Sequence, residues 1–181
     1  MKASTILSVA FFLALSASAQ EASHARPQGD TRPKAHTQAH CKFSDGKTIT
    51  VDYSSPRAKG RKIYGELVPY GKVWRAGANE ATTFVTTGDV VVGGKSVPAG
   101  NYTIFAIPDK DKWTLVISKA TGEWGTDYPG PDKDLARVEM KVSTLPSPVE
   151  NFTISLAKTG GGATMNMDWD TTRTSVAITA K

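Results

Sequence analysis

The stretch "KTITVDYS", residues 47–54, decides the fold class, because apolar and polar side chains alternate along it. Ile49, Val51 and Tyr53 fall on one face, whereas two threonines and an aspartate occupy the other. Alternation with a period of two is typical of a β-strand that buries one face. The stretch therefore predicts a strand that contributes one side to an apolar core.

Seven further stretches repeat this pattern, and turn-forming residues separate them. They are "TTFVTT" (82–87), "DVVVGGKSVPAGNYTIFAI" (89–107), "KWTLVIS" (112–118), "LARVEMKVSTL" (135–145), "ENFTISLAK" (150–158), "ATMNMDWD" (163–170) and "TSVAITA" (174–180). No stretch keeps the spacing of three and four residues that an amphipathic helix needs. About eight or nine short strands with little helix predict an all-β protein. The expected architecture is an antiparallel β-sandwich, either jelly-roll-like or Greek-key.

The N-terminal region predicts export. A basic start (Met1, Lys2), an apolar run over residues 6–15 and small residues at Ala17 and Ala19 form a secretory signal that ends before Gln20. The apolar run is shorter than the roughly 20 residues that span a bilayer. Residues 20–40 contain no aromatic residue, Val, Ile or Leu, which is typical of disorder. We expect a signal peptide over 1–19, a disordered leader over 20–40 and a single β-sandwich domain over 41–181, in the periplasm or outside the cell.

The composition excludes several classes of function. The net charge of +5 is modest and spread along the chain, without a basic helix or a basic–aromatic ladder, so nucleic acid is not an expected partner. The single cysteine, Cys41, has no intramolecular disulfide partner. His36, His40 and Cys41 lie close in sequence, but a structural zinc site takes four ligands and no second cluster exists. We therefore predict no metal site and no cofactor.

One stretch breaks the alternation: "LVPYGKVWRAGANEAT", residues 67–82. As a ligand site, Arg75 would bind a carboxylate or phosphate through its planar fork, Asn79 would orient that group, and Glu80 would act as a base or acceptor. Tyr70 and Trp74 would form the wall. As a structural brace, Arg75 would instead pair with Glu80 and with backbone carbonyls of the loop, and Trp74 would plug one end of the sandwich. Both readings follow from the same residues.

Positive charge concentrates just before this stretch. Residues 55–76 carry six cations and one acid, Glu66, so they are either a solvated loop or a surface that attracts an anionic small molecule or envelope polymer. The candidate ligand-binding residues are Arg57, Arg61, Lys62, Tyr70, Trp74, Arg75, Asn79 and Glu80.

Nothing in the sequence marks a catalytic centre. The domain expected to begin at Cys41 contains no histidine to serve as a base, and no "GxSxG" motif occurs. The Asp168 and Asp170 carboxyls flank Trp169 and are expected to face solvent. Catalytic residues therefore remain unassigned, and whether the protein is an enzyme stays open.

Residues 51–84, "VDYSSPRAKGRKIYGELVPYGKVWRAGANEATTF", resemble the core signature of a bacterial family of exported proteins, the domain of unknown function numbered 2911. "VGGKSVPAGNYTIFAIP" (92–108), "WTLVISKATGEWG" (113–125) and "SPVENFTISL" (147–156) are similar to its later blocks. The resemblance covers roughly residues 41–181 and implies an exported, mostly β domain, with no activity attached.

Three functions are consistent with these observations. The first is a non-enzymatic envelope module that binds a ligand or partner through the surface between Arg57 and Glu80. The second is a hydrolase-like enzyme centred on Arg75, Asn79 and Glu80. The third is a purely structural module whose signature maintains the fold.

Overall fold

A computed structural model describes residues 36–181, in which nine strands account for almost all regular structure. Within this range, no helix has the length and apolar character needed to cross a membrane. The strands are β1 (His36–Lys42), β2 (Thr48–Ser54), β3 (Thr82–Thr86), β4 (Val90–Val92), β5 (Lys95–Val97), β6 (Gly100–Ile107), β7 (Lys112–Ser118), β8 (Asp134–Thr159) and β9 (Gly162–Ala180). A short 3-10 turn, Pro131–Lys133, precedes β8.

The strands form one sheet in the order β1-β2-β3-β6-β7-β8-β9-β4-β5. Every pair of neighbours is antiparallel. The β4–β5 hairpin follows β3 in the chain but lies at the far end of the sheet order, where β4 pairs with the end of β9 and Val90 lies opposite Ala180. The prediction of an all-β antiparallel fold with about nine strands is confirmed.

The expectation of uniformly short strands is wrong for β8 and β9, which run for 26 and 19 residues. The pairing between them shifts register between Thr144 and Val149 and again between Val149 and Thr153. Pro146 and Pro148 lie in this gap and have no N–H to donate to a ladder. The prolines therefore interrupt the hydrogen bonds without ending the extended chain, and they separate two halves of one long strand.

The second half of β8 packs against the end of β2. The Tyr53 hydroxyl accepts a hydrogen bond from the Ile154 N–H at 2.9 Å and lies 3.4 Å from the carbonyl oxygen of the same residue. The rings of Tyr53 and Phe152 meet edge to face at 5.8 Å. Burial raises the pKa of Tyr53. These contacts bring the early and late parts of the chain around one core.

The core side chains come from the predicted alternating stripes. Ile49, Val51 and Tyr53 of β2 are buried, as expected. The stripes of β7 and β9 are confirmed in the same way; they comprise Trp113, Leu115, Ile117, Met165, Met167 and Trp169. The largest side chains with almost no exposure include two tryptophans, which form the centre of the main core.

Asp168 corrects the expectation that the two aspartates around Trp169 face solvent. It is only 8% exposed, and Arg173 holds it through two hydrogen bonds of 2.7 and 2.6 Å. Asp170 lies between them in a left-handed conformation with φ 51°, so β9 kinks there and brings Arg173 back beside Asp168. Asp168 and Arg173 thus form an ion pair that stabilises the fold.

The N-terminal boundary also differs from the expectation. His36–His40 form most of β1, in register with β2 from His36 opposite Ser54 to Lys42 opposite Thr48. The disordered leader predicted over residues 20–40 is therefore wrong for residues 36–40, because strand pairing orders a segment that has almost no apolar content. Residues 1–35, including the predicted signal peptide and most of the leader, lie outside the described residues.

Candidate functional site

The irregular crossover, residues 55–81, contains no strand and joins β2 to β3. Two isolated bridges join it to the sheet, from Arg57 to Asn151 of β8 and from Trp74 to Ala106 of β6. Two more link Tyr64 to Val68 inside the crossover and Glu80 to Trp124 of a later loop. The crossover is therefore an ordered loop that the sheet holds, which is the arrangement that can present side chains at fixed positions.

Trp74 anchors the middle of the crossover. Its N–H and carbonyl form hydrogen bonds of 2.8 and 2.7 Å with Ala106, so residues 73–75 continue the line of β3 along β6. Its ring is 8% exposed and stacks on Trp169 at 5.9 Å, with the edges of Trp113 and Phe152 at 6.3 and 5.0 Å. Trp74 is a core residue, which agrees with the buried position expected in the brace hypothesis and not with the wall of a ligand site.

Arg75 lies on the opposite face of the sheet from Trp74. Side chains alternate along an extended segment, so Arg75 shares the side of Val73. Val73 packs on a second, smaller apolar cluster formed by Ala81, Phe105 and Val116. The Arg75 side chain is half-buried, and this desolvation lowers the pKa of its guanidinium.

The guanidinium of Arg75 has no anionic partner among residues 36–181. In residues 36–181, no ion pair involves Arg75, and its buried Nε atom has no hydrogen-bond partner. The brace reading required an Arg75–Glu80 pair, and that pair is not formed. The backbone carbonyl of Arg75 accepts a hydrogen bond from the Thr82 N–H at 3.4 Å.

A tight turn follows Arg75 and fixes its orientation. Ala76 has φ 51°, and its carbonyl accepts the Thr82 hydroxyl at 2.8 Å. The N–H of Ala78 donates to the carbonyl of Ser54 at 3.0 Å. A Cβ on Gly77 would lie 3.0 Å from that same carbonyl oxygen and 3.1 Å from Thr82 Oγ1. Glycine is needed here because the turn runs directly against β2.

Asn79 and Glu80 end the turn but face different groups. The Asn79 carbonyl accepts the Gly125 N–H at 2.9 Å, and its own φ of 59° is the left-handed conformation that asparagine tolerates well. The Glu80 carboxylate lies 3.5 Å from Ser54 Oγ and 3.9 Å from His36 Nε2. Glu80 thus points toward the β1–β2 end and not toward Arg75.

A second irregular segment, residues 119–133, completes the site and was missed at the sequence level. The Glu123 carbonyl accepts the Ala81 N–H at 3.1 Å, and the Glu123 carboxylate accepts the Thr103 hydroxyl at 2.6 Å. Tyr128 packs edge to face on Phe105 at 5.3 Å. Tyr128 also lies in a network with Asp134 and Arg137, and the Asp134 carboxylate raises the Arg137 pKa. The sequence indicated only weakly that this segment belongs to the site, through the acid and the tryptophan between two glycines in "GEWG", residues 122–125.

The remaining candidate residues belong to a separate surface. We call residues 57–72 the basic loop. In it, Arg61 donates to the carbonyls of Ala58 at 3.0 Å and Arg57 at 2.6 Å, and Lys62 pairs with Glu66 at 3.1 Å. Arg57 and Tyr70 are exposed. The eight predicted residues therefore divide into three groups: the core residue Trp74; Arg57, Arg61, Lys62 and Tyr70 of the basic loop; and Arg75, Asn79 and Glu80, which lie at or next to the turn after Trp74 and which we call the Arg75 site. Glu123, which the sequence did not indicate, lies next to this turn through its hydrogen bond with Ala81.

The histidines and the cysteine of β1 do not converge. His36 and His40 lie on the outer face, where His40 Nδ1 is 3.1 Å from Thr50 Oγ1, whereas Cys41 is buried in the core. Among the described residues, no group of three His, Cys, Asp or Glu side chains is placed to hold a metal ion.

Comparison with known families identifies the chain. Residues 33–178 match the family described as "Protein of unknown function (DUF2911)", and the chain belongs to this family. The match begins before β1, eight residues earlier than the boundary expected at Cys41. No curated protein and no solved structure matches the chain.

Proposed function

We propose that this protein is an exported, non-enzymatic binding module whose ligand carries a carboxylate or phosphate group, and that Arg75 holds that group. The single observation that carries this proposal is the half-buried guanidinium of Arg75, whose Nε has no hydrogen-bond partner. A buried donor without an acceptor costs about 1–3 kcal/mol, so a ligand that supplies the acceptor recovers this free energy on binding.

The surroundings of Arg75 favour an anionic group over a neutral one. Burial weakens the hydration that competes with a ligand, as the lowered pKa of Arg75 reflects. The apolar cluster of Ala81, Phe105 and Val116 lies on the same side of the sheet, and low polarity strengthens the attraction between opposite charges. The planar guanidinium matches the two oxygens of a carboxylate or phosphate.

The carboxylates near the site restrict what else it accepts. Glu80 is directed toward Ser54 and His36, and Glu123 is held by Thr103. In residues 36–181 neither acid forms an ion pair with Arg75, but both add negative charge next to the turn that follows it. A small ligand with one compact anionic group is therefore preferred over a densely charged polyanion at this position.

Export is supported by the sequence of the first 19 residues. The basic start, the apolar run over residues 6–15 and the small residues before Gln20 form a secretory signal. Export places the ligand in the cell envelope or outside the cell. N-terminal mass analysis of protein from a bacterial host should find a chain that begins at Gln20; an N-terminus still at Met1 would contradict this part of the proposal.

Isothermal titration with inorganic phosphate tests the binding site directly. The unaltered protein should bind phosphate, Arg75→Ala should weaken binding about tenfold or more, and Arg75→Lys should recover only part of it. Lys158→Gln, a loss of positive charge at an exposed position of β8, is the matched control and should bind as the unaltered protein does.

Two results would overturn the proposal. Equal phosphate binding by the unaltered protein and Arg75→Ala would place any anion elsewhere. Turnover of a phosphate or carboxylate ester that disappears in Glu80→Gln would replace the binding module with the hydrolase centred on Arg75, Asn79 and Glu80.

A further inference from the structure

The tip of the basic loop exposes two large apolar side chains. Among the described residues, the exposed large hydrophobic side chains are Leu67 (43%), Tyr70 (39%) and Trp124 (39%). Leu67 and Tyr70 lie three residues apart in one turn. Single exposed apolar residues are common on protein surfaces, but a pair at the tip of one loop surrounded by cations is a distinct arrangement.

The loop presents this tip from a fixed base. Ile63 and Val68 are buried, and the Val68 N–H donates to the Ile63 carbonyl at 2.9 Å. The Tyr64 ring meets the edge of Trp113 at 4.9 Å. The inner side of the loop is thus part of the core, so Leu67 and Tyr70 are displayed without any need for the loop to fold on contact with a partner.

The basic loop carries more cations than acids. Residues 57–72 contain five, namely Arg57, Lys59, Arg61, Lys62 and Lys72, against one acid, Glu66. The adjoining β6–β7 turn, whose Pro108 carbonyl accepts the Gly71 N–H at 2.8 Å, adds Asp109, Lys110 and Asp111. Glu150 also lies beside the base of the loop, where it accepts the Lys59 N–H at 2.9 Å. The surface remains net positive after these acids are included.

We propose that the basic loop docks on an anionic lipid bilayer, with Leu67 and Tyr70 entering the headgroup region and the surrounding lysines and arginines contacting lipid phosphates. Charge complementarity argues for a bilayer as the partner, because the loop combines apolar tips with long cationic side chains. Lysine and arginine stems lie along apolar surface while their charged ends reach headgroups. Weak apolar insertion and electrostatic attraction together give reversible membrane binding.

This proposal goes beyond the ligand site and uses other residues. Arg75 lies after the basic loop, and none of the Leu67, Tyr70 or lysine side chains of the loop belongs to the Arg75 site. The two proposals can therefore be tested separately: Arg75→Ala should weaken phosphate binding about tenfold or more and leave vesicle binding unchanged.

Vesicle sedimentation tests the docking surface. The chain that begins at Gln20 should bind vesicles of phosphatidylcholine mixed with phosphatidylglycerol, and should bind vesicles of phosphatidylcholine alone at least tenfold more weakly. Leu67→Ser/Tyr70→Ser should weaken binding to the anionic vesicles about tenfold, because binding scales with the apolar area inserted. Removal of Lys59 or Lys72 by substitution with Gln should cost about fivefold each, and added salt should weaken binding further.

Matched control variants distinguish insertion of the loop into the bilayer from a general loss of apolar surface or charge. Val85→Ser removes a partly exposed apolar side chain from the outer face of β3, and Lys158→Gln removes a distant charge; both should bind as the unaltered protein does. A tryptophan at the tip, Leu67→Trp, should be quenched by brominated lipid chains, whereas Val85→Trp should not.

Three outcomes would overturn the proposal. Absence of binding to anionic vesicles at low salt would remove the partner. Equal binding by the unaltered protein and Leu67→Ser/Tyr70→Ser would mean that charge alone acts, as for an anionic polymer. A dimer that becomes monomeric in Leu67→Ser/Tyr70→Ser, with no vesicle binding in either form, would assign the tip to a second copy of the chain.

Discussion

The irregular crossover and the kinked part of β9 each contain a buried tryptophan and a nearby arginine, but the two arginines have different partners. Trp74 of the crossover and Trp169 of β9 stack on each other at 5.9 Å with an interplanar angle of 17°. Arg173, beyond the kink, binds Asp168 through two hydrogen bonds, whereas Arg75 has a buried Nε without a partner. Asp168 supplies the anion for Arg173, whereas residues 36–181 supply none for Arg75, and this difference supports the proposal that Arg75 binds the anionic group of a ligand.

The largest expected effect is at Trp74, where the two regions meet. Trp74→Ala should lower the free energy of unfolding by about 4 kcal/mol, because truncation of a fully packed tryptophan leaves a large cavity among Trp113, Phe152 and Trp169. Urea denaturation measures this change. Trp124→Ala, at a 39% exposed ring, is the matched control and should cost about 1 kcal/mol or less. Similar losses in the two variants would contradict the placement of Trp74 in the core.

The next effect is at the paired arginine. Arg173→Ala should cost about 2 kcal/mol, since it leaves the buried Asp168 carboxylate without its partner; the partial exposure of Arg173 keeps the loss below that of a fully buried pair. Chemical denaturation should show this loss, while the exposed Arg57→Ala should change the stability by less than about 0.5 kcal/mol. If Arg173→Ala were as stable as Arg57→Ala, the ion pair would have no structural role.

A smaller effect concerns Tyr64, which links the two regions. Its ring lies at the edges of Trp113 and Trp169, and burial, followed by the charges of Asp170 and Asp168, raises its pKa. Tyr64 therefore keeps its proton in the folded state when the unfolded chain loses it above about pH 10. Stability should fall between about pH 9 and pH 11, and Tyr64→Phe should remove about 1 kcal/mol of that fall. Equal pH profiles for Tyr64→Phe and the unaltered protein would refute the assignment.

Local patterns allowed most of the fold to be predicted. Alternation alone identified the buried stripes of β2, β7 and β9, because the face that a strand residue occupies depends only on its position along that strand. Alternation did not show whether β8 ends or continues at Pro146 and Pro148. The pairing with β9 is interrupted there, but the chain stays extended. Alternation also missed β1, whose buried contribution is limited to the small side chains of Ala39 and Cys41.

The candidate site was only partly predictable. Irregular sequence located the crossover, but it did not show that the left-handed residue Asp170 would bring Arg173 to Asp168 while Arg75 found no acid among residues 36–181. Glu80 is the nearest acid to Arg75 downstream in the sequence, yet the turn at Ala76 and Asn79 directs it toward Ser54. Glu123 reaches the crossover because β7 lies next to β6, and that order of strands is not visible in the residues themselves.

The stability of Arg75→Ala, measured by urea denaturation with and without inorganic phosphate, tests the central claim most directly. Without phosphate, the variant should match the unaltered protein within about 0.5 kcal/mol, because no internal partner is lost. Saturating phosphate should stabilise the unaltered protein alone, since a ligand that binds only the folded state raises its stability. A loss of several kcal/mol in Arg75→Ala without phosphate, together with no phosphate effect on the unaltered protein, would show that Arg75 is a structural residue.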